Sequence, residues 1–182
     1  MPRPVVAVFG SSRAREGDPA YRIAGAWGRV LAEMGFAVVT GGYGGTMEAV
    51  SRAVREAGGL VLGVTAPPVF PGRAGANAHV ELELPSPSLL SRIERMLDLA
   101  GAYLALPGGL GTLTEIAAAW NRAYVDRRAG RPVRPLAVHA AWRELLRPGL
   151  EIAPGDLALI RFLKDEADLR EFLGSVPRPG AG

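Results

Sequence analysis

The chain has 182 residues, 48% of them hydrophobic and 21% charged, with a formal charge of +3. That suits one globular domain with a sizeable core. The absence of cysteine excludes disulfides and thiolate metal sites. Lys164 is the only lysine and sits in a polar stretch near the C-terminus. Schiff-base and pyridoxal-phosphate chemistry need a lysine in the pocket, so both are disfavoured. The arginines are scattered and alternate with acids, which gives no basic patch for nucleic acid. No apolar run is long enough to span a membrane, and residues 1–9 read as the start of a strand rather than a secretory leader, so a cytoplasmic protein is expected.

In chain order, Val5-Val6-Ala7-Val8-Phe9 is a continuous apolar run of the kind found in buried parallel strands, and Gly10-Ser11-Ser12 ends it. Asp18-Pro19 opens a helix expected over residues 19–34, with Ile23, Ala26, Trp27, Val30 and Leu31 on one face. A second strand over 36–40 runs into Gly41-Gly42-Tyr43-Gly44-Gly45-Thr46-Met47-Glu48, a glycine-rich turn into a second helix, and a third strand follows over 60–64. Such β–α repeats imply a mainly parallel sheet with helices on both faces. The expected fold is therefore α/β, a single Rossmann-like three-layer domain over residues 1–176, with 177–182 as a flexible tail.

Residues 66–87 differ, with five prolines, two glycines and one short extended piece over 80–84. A loop this long, leaving the carboxyl end of a strand, is expected to form a wall of the ligand pocket. A helix over 88–100, a strand over 102–106 and a helix from 112 to about 127 come next. A strand over 135–139, a short helix over 142–146, a strand over 157–162 and a helix over 165–173 complete the expected order.

The most informative stretch is Leu104-Ala105-Leu106-Pro107-Gly108-Gly109-Leu110-Gly111-Thr112-Leu113-Thr114-Glu115. It reads as a buried strand, a glycine turn and a helix start. The free N–H groups and positive dipole end of such a helix suit an anion, above all phosphate. Thr112-x-x-Glu115 has the spacing of a capping box, which explains Glu115 about as well as a catalytic role does. Arg95 has a local partner in Asp98, three residues on, whereas Arg92 has no acid three or four residues to either side. Arg92 is thus either an arginine laid over apolar surface or a guanidinium for a phosphate or carboxylate. His79 and His139 are isolated and no cluster has metal-ligand spacing, so no metal is expected. Gly41-Gly42-Tyr43-Gly44-Gly45 lacks the G-x-G-x-x-G dinucleotide pattern. Two glycine turns converging on one crevice nevertheless favour a phosphate or nucleotide ligand.

These pieces together resemble the LONELY GUY (LOG) family, whose members long carried a lysine decarboxylase label. The matching residues are Val8-Phe9-Gly10-Ser11-Ser12, Gly41-Gly42 with Gly45-x-Met47, and Gly58-Gly59-x-Val61-x-Gly63-Val64. Most specific are Arg92-x-x-x-Met96 and Pro107-Gly108-Gly109-x-Gly111-Thr112-x-x-Glu115. The resemblance spans residues 5–173. It implies a Rossmann-like homodimer or higher homo-oligomer that hydrolyses a nucleoside 5′-monophosphate, AMP or a cytokinin riboside monophosphate, to free base and ribose 5-phosphate without a cofactor. It implies Arg92 and Glu115 as the catalytic pair. Substrate and phosphate would be held by Gly108, Gly109, Leu110, Gly111 and Thr112, with Gly10, Ser11, Gly41, Gly42, Gly45 and Asn77. The chain departs from the family pattern at Ile93 (usually Lys), at Thr114 (usually Glu) and at Asn77-Ala78 (usually Gly-Glu). Asn77 and the turn Gly44-Gly45-Thr46-Met47-Glu48 lean towards a sister branch similar to molybdenum-cofactor carrier proteins, which bind rather than hydrolyse.

Overall fold

A computed structural model describes residues 3–73, 75–146 and 151–178. Seven strands form one sheet in the order β4-β3-β2-β1-β5-β6-β7, and every neighbouring pair is parallel. The strands are β1 (Val5–Phe9), β2 (Ala37–Thr40), β3 (Val61–Thr65), β4 (Leu82–Pro85), β5 (Ala102–Ala105), β6 (Leu136–His139) and β7 (Ile160–Leu163). The helices are α1 (Pro19–Glu33), α2 (Thr46–Glu56), α3 (Leu89–Leu99), α4 (Leu110–Arg128), α5 (Pro154–Leu157) and α6 (Glu166–Gly174). Among the described residues, no helix is long and apolar enough to cross a membrane.

Strand alternation divides the core in two. Val6 and Val8 of β1 face a cluster with Trp27 and Leu31 of α1, Val50 of α2 and Leu169 of α6. Ala7 and Phe9 face the opposite cluster, with Ile93 and Met96 of α3 and Ile116 and Ala119 of α4. Side chains that point alternately to the two faces of a strand, each face covered by helices, make the expected three-layer sandwich. The α1–α2 contact is close: a Cβ on Gly28 would lie 2.9 Å from the Val50 carbonyl oxygen.

The chain winds from β1 outwards to β4, then returns to the other side of β1 for β5. At this reversal the connections from β1 and β5 diverge and leave a crevice at the carboxyl ends of the strands, where open α/β sheets bind ligands.

Several local expectations change. The extended piece expected over 80–84 is β4, a full member of the sheet paired with β3 from Leu62↔Leu82 to Thr65↔Pro85. The helix expected over 142–146 is a 3-10 turn, Ala140–Trp142, fixed where the buried Trp142 indole donates to the Leu106 carbonyl at 2.9 Å. The strand expected over 157–162 starts later, at Ile160, because Pro154 opens a helical turn through Leu157. Arg95 does not pair with Asp98: it donates to the Pro85 carbonyl, and Asp98 bonds Arg122 across the α3–α4 contact. Of the expected tail, residues 179–182 lie outside the described residues.

Candidate functional site

The glycine turn after β5 delivers α4 to the crevice. The helix begins at Leu110 with Gly109 at its N-cap, and no side chain caps it. This corrects the capping box: Thr112 lies inside the first turn and Glu115 in the second. The hydroxyl and the carboxylate are therefore free for other contacts. At three residues' spacing they share one helix face, directed inwards, and both residues are buried. Helix geometry leaves the N–H groups of Leu110, Gly111 and Thr112 without intrahelical acceptors. Space is open there: a Cβ on Gly109 or Gly111 would meet nothing within 4 Å. The Thr112 hydroxyl oxygen is buried with no hydrogen-bond partner, and an orphaned buried polar atom calls for an absent ligand or water.

Arg92 reaches the crevice from α3. The Ser88–Ser91 capping box fixes the start of that helix, and the fourth helical residue points over the ends of β2 and β3. Its Nε donates to the Val64 carbonyl at 2.7 Å and its Nη2 to the Gly41 carbonyl at 2.9 Å. Gly41 is glycine because a Cβ there would overlap the guanidinium. Arg92 is only 6% exposed, so it is not a surface arginine lying over apolar groups.

Arg92 Nη1 lies 3.7 Å from Glu115 Oε1, a buried ion pair longer than a direct hydrogen bond. Burial pushes the Glu115 carboxyl up to about 7, against the opposing pull of Arg92. Burial also lowers the Arg92 pKa, partly offset by Glu115. Desolvation outweighs pairing at Glu115, so its proton is exchangeable near neutral pH.

A cavity of about 420 Å3 surrounds this pair, within the size range of small-molecule sites. Of the residues expected from sequence, it brings together Arg92, Glu115, Gly10, Ser11, Gly109, Leu110, Gly111 and Thr112. The departure residues Ile93 and Thr114 also line it. The Thr114 hydroxyl bonds the Leu110 carbonyl at 2.9 Å.

Gly41, Gly42, Gly45, Gly108 and Asn77 do not line this cavity directly. Gly41 and Gly42 lie behind Arg92 and the following loop, and their carbonyls accept from Arg92 and from Asn77. The Asn77 amide is held by the Gly42 and Tyr43 carbonyls at 3.2 and 3.0 Å, and its Oδ1 accepts the His79 N–H. It locks the long loop to the sheet. Gly45 is packed against the Ser11 backbone and Gly108 against the Thr112 side chain.

Sequence reasoning missed Arg13, Met47, Leu89, Phe70 and Arg73, all of which line the cavity. Phe70 and Arg73 belong to the proline-rich loop expected to form a wall; that loop was visible in the sequence, but which of its side chains turn inwards was not.

Fold and site together define a doubly wound α/β protein with an open crevice at the switch point between β1 and β5. The chain belongs to the SLOG cluster4 family, whose model matches residues 3–125, the part that holds every side chain of the cavity. Over 104 residues it is 36% identical to a cytokinin riboside 5′-monophosphate phosphoribohydrolase of Mycobacterium marinum, covering 57% of this chain and 55% of that one. Over 116 residues it is 31% identical to the enzyme of the same name from Mycobacterium tuberculosis, covering 63% and 59%. The matched regions thus span little more than half the length of these curated relatives. The fold also matches the molybdenum cofactor binding protein of Rippkaea orientalis, with a TM-score of 0.75 at 21% identity over 97% of this chain and 98% of that one.

Proposed function

We propose that the protein hydrolyses the N-glycosidic bond of a nucleoside 5′-monophosphate, releasing free base and ribose 5-phosphate. The observation that carries this reading is the buried Arg92–Glu115 pair set beside the open N-terminus of α4. The 5′-phosphate docks on the N–H groups of Leu110, Gly111 and Thr112 and accepts a hydrogen bond from the unpartnered Thr112 hydroxyl. That brings the ribose towards Glu115.

As the C1′–N bond lengthens, its electron pair moves to the base and positive charge grows on the ribosyl ring. An ionised Glu115 stabilises that charge and takes a proton from the water that attacks C1′. The proton leaves with the base. Arg92, held by two carbonyls and facing Glu115, fixes the carboxylate and supplies a donor to the substrate. The curated relatives named above support the reaction class.

The test is incubation with a panel of purine and pyrimidine monophosphates, with chromatography for free base. Glu115→Gln and Arg92→Ala are expected to lower kcat about 100- to 10,000-fold while leaving the circular dichroism spectrum unchanged. In the wild type, kcat/KM should rise with pH through about 7 as Glu115 ionises, and Glu115→Gln should abolish that limb. Release of no base from any monophosphate would refute hydrolysis. Tight binding without product would instead favour a carrier, a reading supported by the open α4 N-terminus, which holds phosphate whether or not Glu115 acts.

A further inference from the structure

The cavity is asymmetric in charge. Arg13, Arg73 and Arg92 line it, with Glu115 as its one acid. Arg92 is committed to Glu115 and two carbonyls. Among the described residues, the Arg73 guanidinium has no acid or carbonyl partner. It is clamped over two rings, 4.3 Å from the Tyr43 centroid and 4.4 Å from that of Phe70. Those rings meet edge to face, and the Tyr43 hydroxyl accepts the Ala66 N–H at 2.8 Å, so the clamp is itself anchored at the end of β3. Arg92 lies over the same Tyr43 ring at 5.5 Å. Two cations therefore crowd one aromatic side chain, and the charge of Arg73 disfavours the charged form of Arg92. The Arg73 guanidinium offers donors and no acceptor.

Sheet order fixes where that clamp stands. The α4 N-terminus follows β5, while Tyr43 and Phe70 sit at the ends of β2 and β3, two to three strands away. At roughly 4.8 Å per strand, the ends of β2 and β3 stand about 10–14 Å from the end of β5, and Arg92, which lies over the Tyr43 ring beside Arg73 and 3.7 Å from Glu115, links the two sides of the cavity. A nucleotide whose phosphate docks at α4 and whose C1′ lies at Glu115 presents its base to Arg73.

We infer that Arg73 is a specificity-determining residue that reads the leaving base through acceptor atoms, so that the site prefers 6-oxopurine to 6-aminopurine monophosphates. A 6-oxopurine places the O6 and N7 acceptors side by side, matching the guanidinium fork. Adenine pairs N7 with an N6 donor, which opposes it. This inference rests on the reading of the cavity as a nucleotide site.

The test compares inosine and adenosine 5′-monophosphates, which differ at the C6 substituent and the N1 proton. Their dissociation constants are measured calorimetrically on the full chain, and base release is measured separately. The wild type is expected to bind inosine monophosphate about 5- to 150-fold more tightly, the discrimination of one bidentate arginine pair. Arg73→Met keeps the apolar stem over the rings and should bring the ratio close to one. Arg73→Lys keeps the charge without the fork, and should retain affinity for both nucleotides while losing most of the preference. A merely structural Arg73 would weaken both equally and leave the ratio intact. An unchanged ratio in Arg73→Met, a wild type that prefers adenosine monophosphate, or failure to bind either nucleotide would overturn the inference. Preferential binding without release of hypoxanthine would uphold it and refute hydrolysis; release of base without an Arg73-dependent preference would do the reverse.

Discussion

Two turns in this molecule look alike in sequence and behave as opposites. Gly41-Gly42-Tyr43-Gly44-Gly45-Thr46-Met47-Glu48 and Pro107-Gly108-Gly109-Leu110-Gly111-Thr112-Leu113-Thr114-Glu115 each join a buried strand to a helix through glycines, with a threonine and a glutamate following. The first is packed shut. Gly45 has φ +76° and its α-carbon lies against the Ser11 and Ser12 backbone. The buried Thr46 donates both its N–H and its hydroxyl to the Ser11 carbonyl, at 2.8 and 3.2 Å. Asn77 closes the turn from above. The second is open, with Leu110 80% exposed, free space beside Gly109 and Gly111, and the Thr112 hydroxyl unpartnered. The acids differ as well: Glu48 is half-buried in the first turn of α2, Glu115 buried in the second turn of α4. Glycine in one turn permits tight packing; in the other it leaves room for a ligand. Composition alone does not separate the two.

The largest effect expected from breaking this contrast is at Gly45. Gly45→Ala forces a side chain into a left-handed conformation and into the Ser11 carbonyl, and should cost about 4 kcal/mol, read by urea unfolding. Gly111→Ala meets nothing and should leave stability within about 1 kcal/mol. Equal effects at the two sites would refute the packed-versus-open distinction.

Next in size is the pH dependence of stability. The folded Glu115 carboxyl titrates at about 7 against a reference value of 4.5, so the native state holds a proton that the unfolded state has released. Stability from this group is therefore greatest below about 4.5 and declines as pH rises to about 7, by on the order of 3 kcal/mol. Glu115→Gln should flatten that part of the profile. A wild-type curve parallel to that of the variant between those values would contradict the burial argument.

The smallest effects separate the two threonines. Thr112→Val removes an unsatisfied buried hydroxyl and should leave stability unchanged or slightly higher, while weakening the binding of phosphate-bearing ligands about tenfold. Thr46→Val breaks the bond to Ser11 and should cost about 1 kcal/mol of stability with no direct effect on the ligand. Reversal of that pattern would exchange the roles assigned to the two turns.

Much of this fold was legible in the sequence. The apolar runs at Val5–Phe9 and Val61–Thr65 and the helical face of Trp27, Val30 and Leu31 specify a doubly wound sheet through periodicity alone. The piece that became β4 was harder, because its alternating, largely exposed residues carry the signal of an edge strand, not a central one. At the site, Arg92 stood out by lacking helical partners, and the structure gives it distant ones. The capping-box reading of Thr112 and Glu115 failed because it depends on the helix starting at Thr112, and α4 starts two residues earlier. Arg73 could not be singled out, since its place against Tyr43 and Phe70 is set by the path of a long loop. Asn77 was expected at the site through the family resemblance, and its amide bonds the Gly42 and Tyr43 carbonyls.

We propose that the Arg92–Glu115 pair cleaves a glycosidic bond in a nucleotide anchored on α4. This is tested most directly by single-turnover incubation of excess protein with a nucleoside 5′-monophosphate at pH 7.5–8, following free base and ribose 5-phosphate together. Equimolar appearance of the two products in the wild type, with binding retained but product lost in Glu115→Gln, is the result expected. A nucleotide that stays bound and intact in the wild type would contradict it.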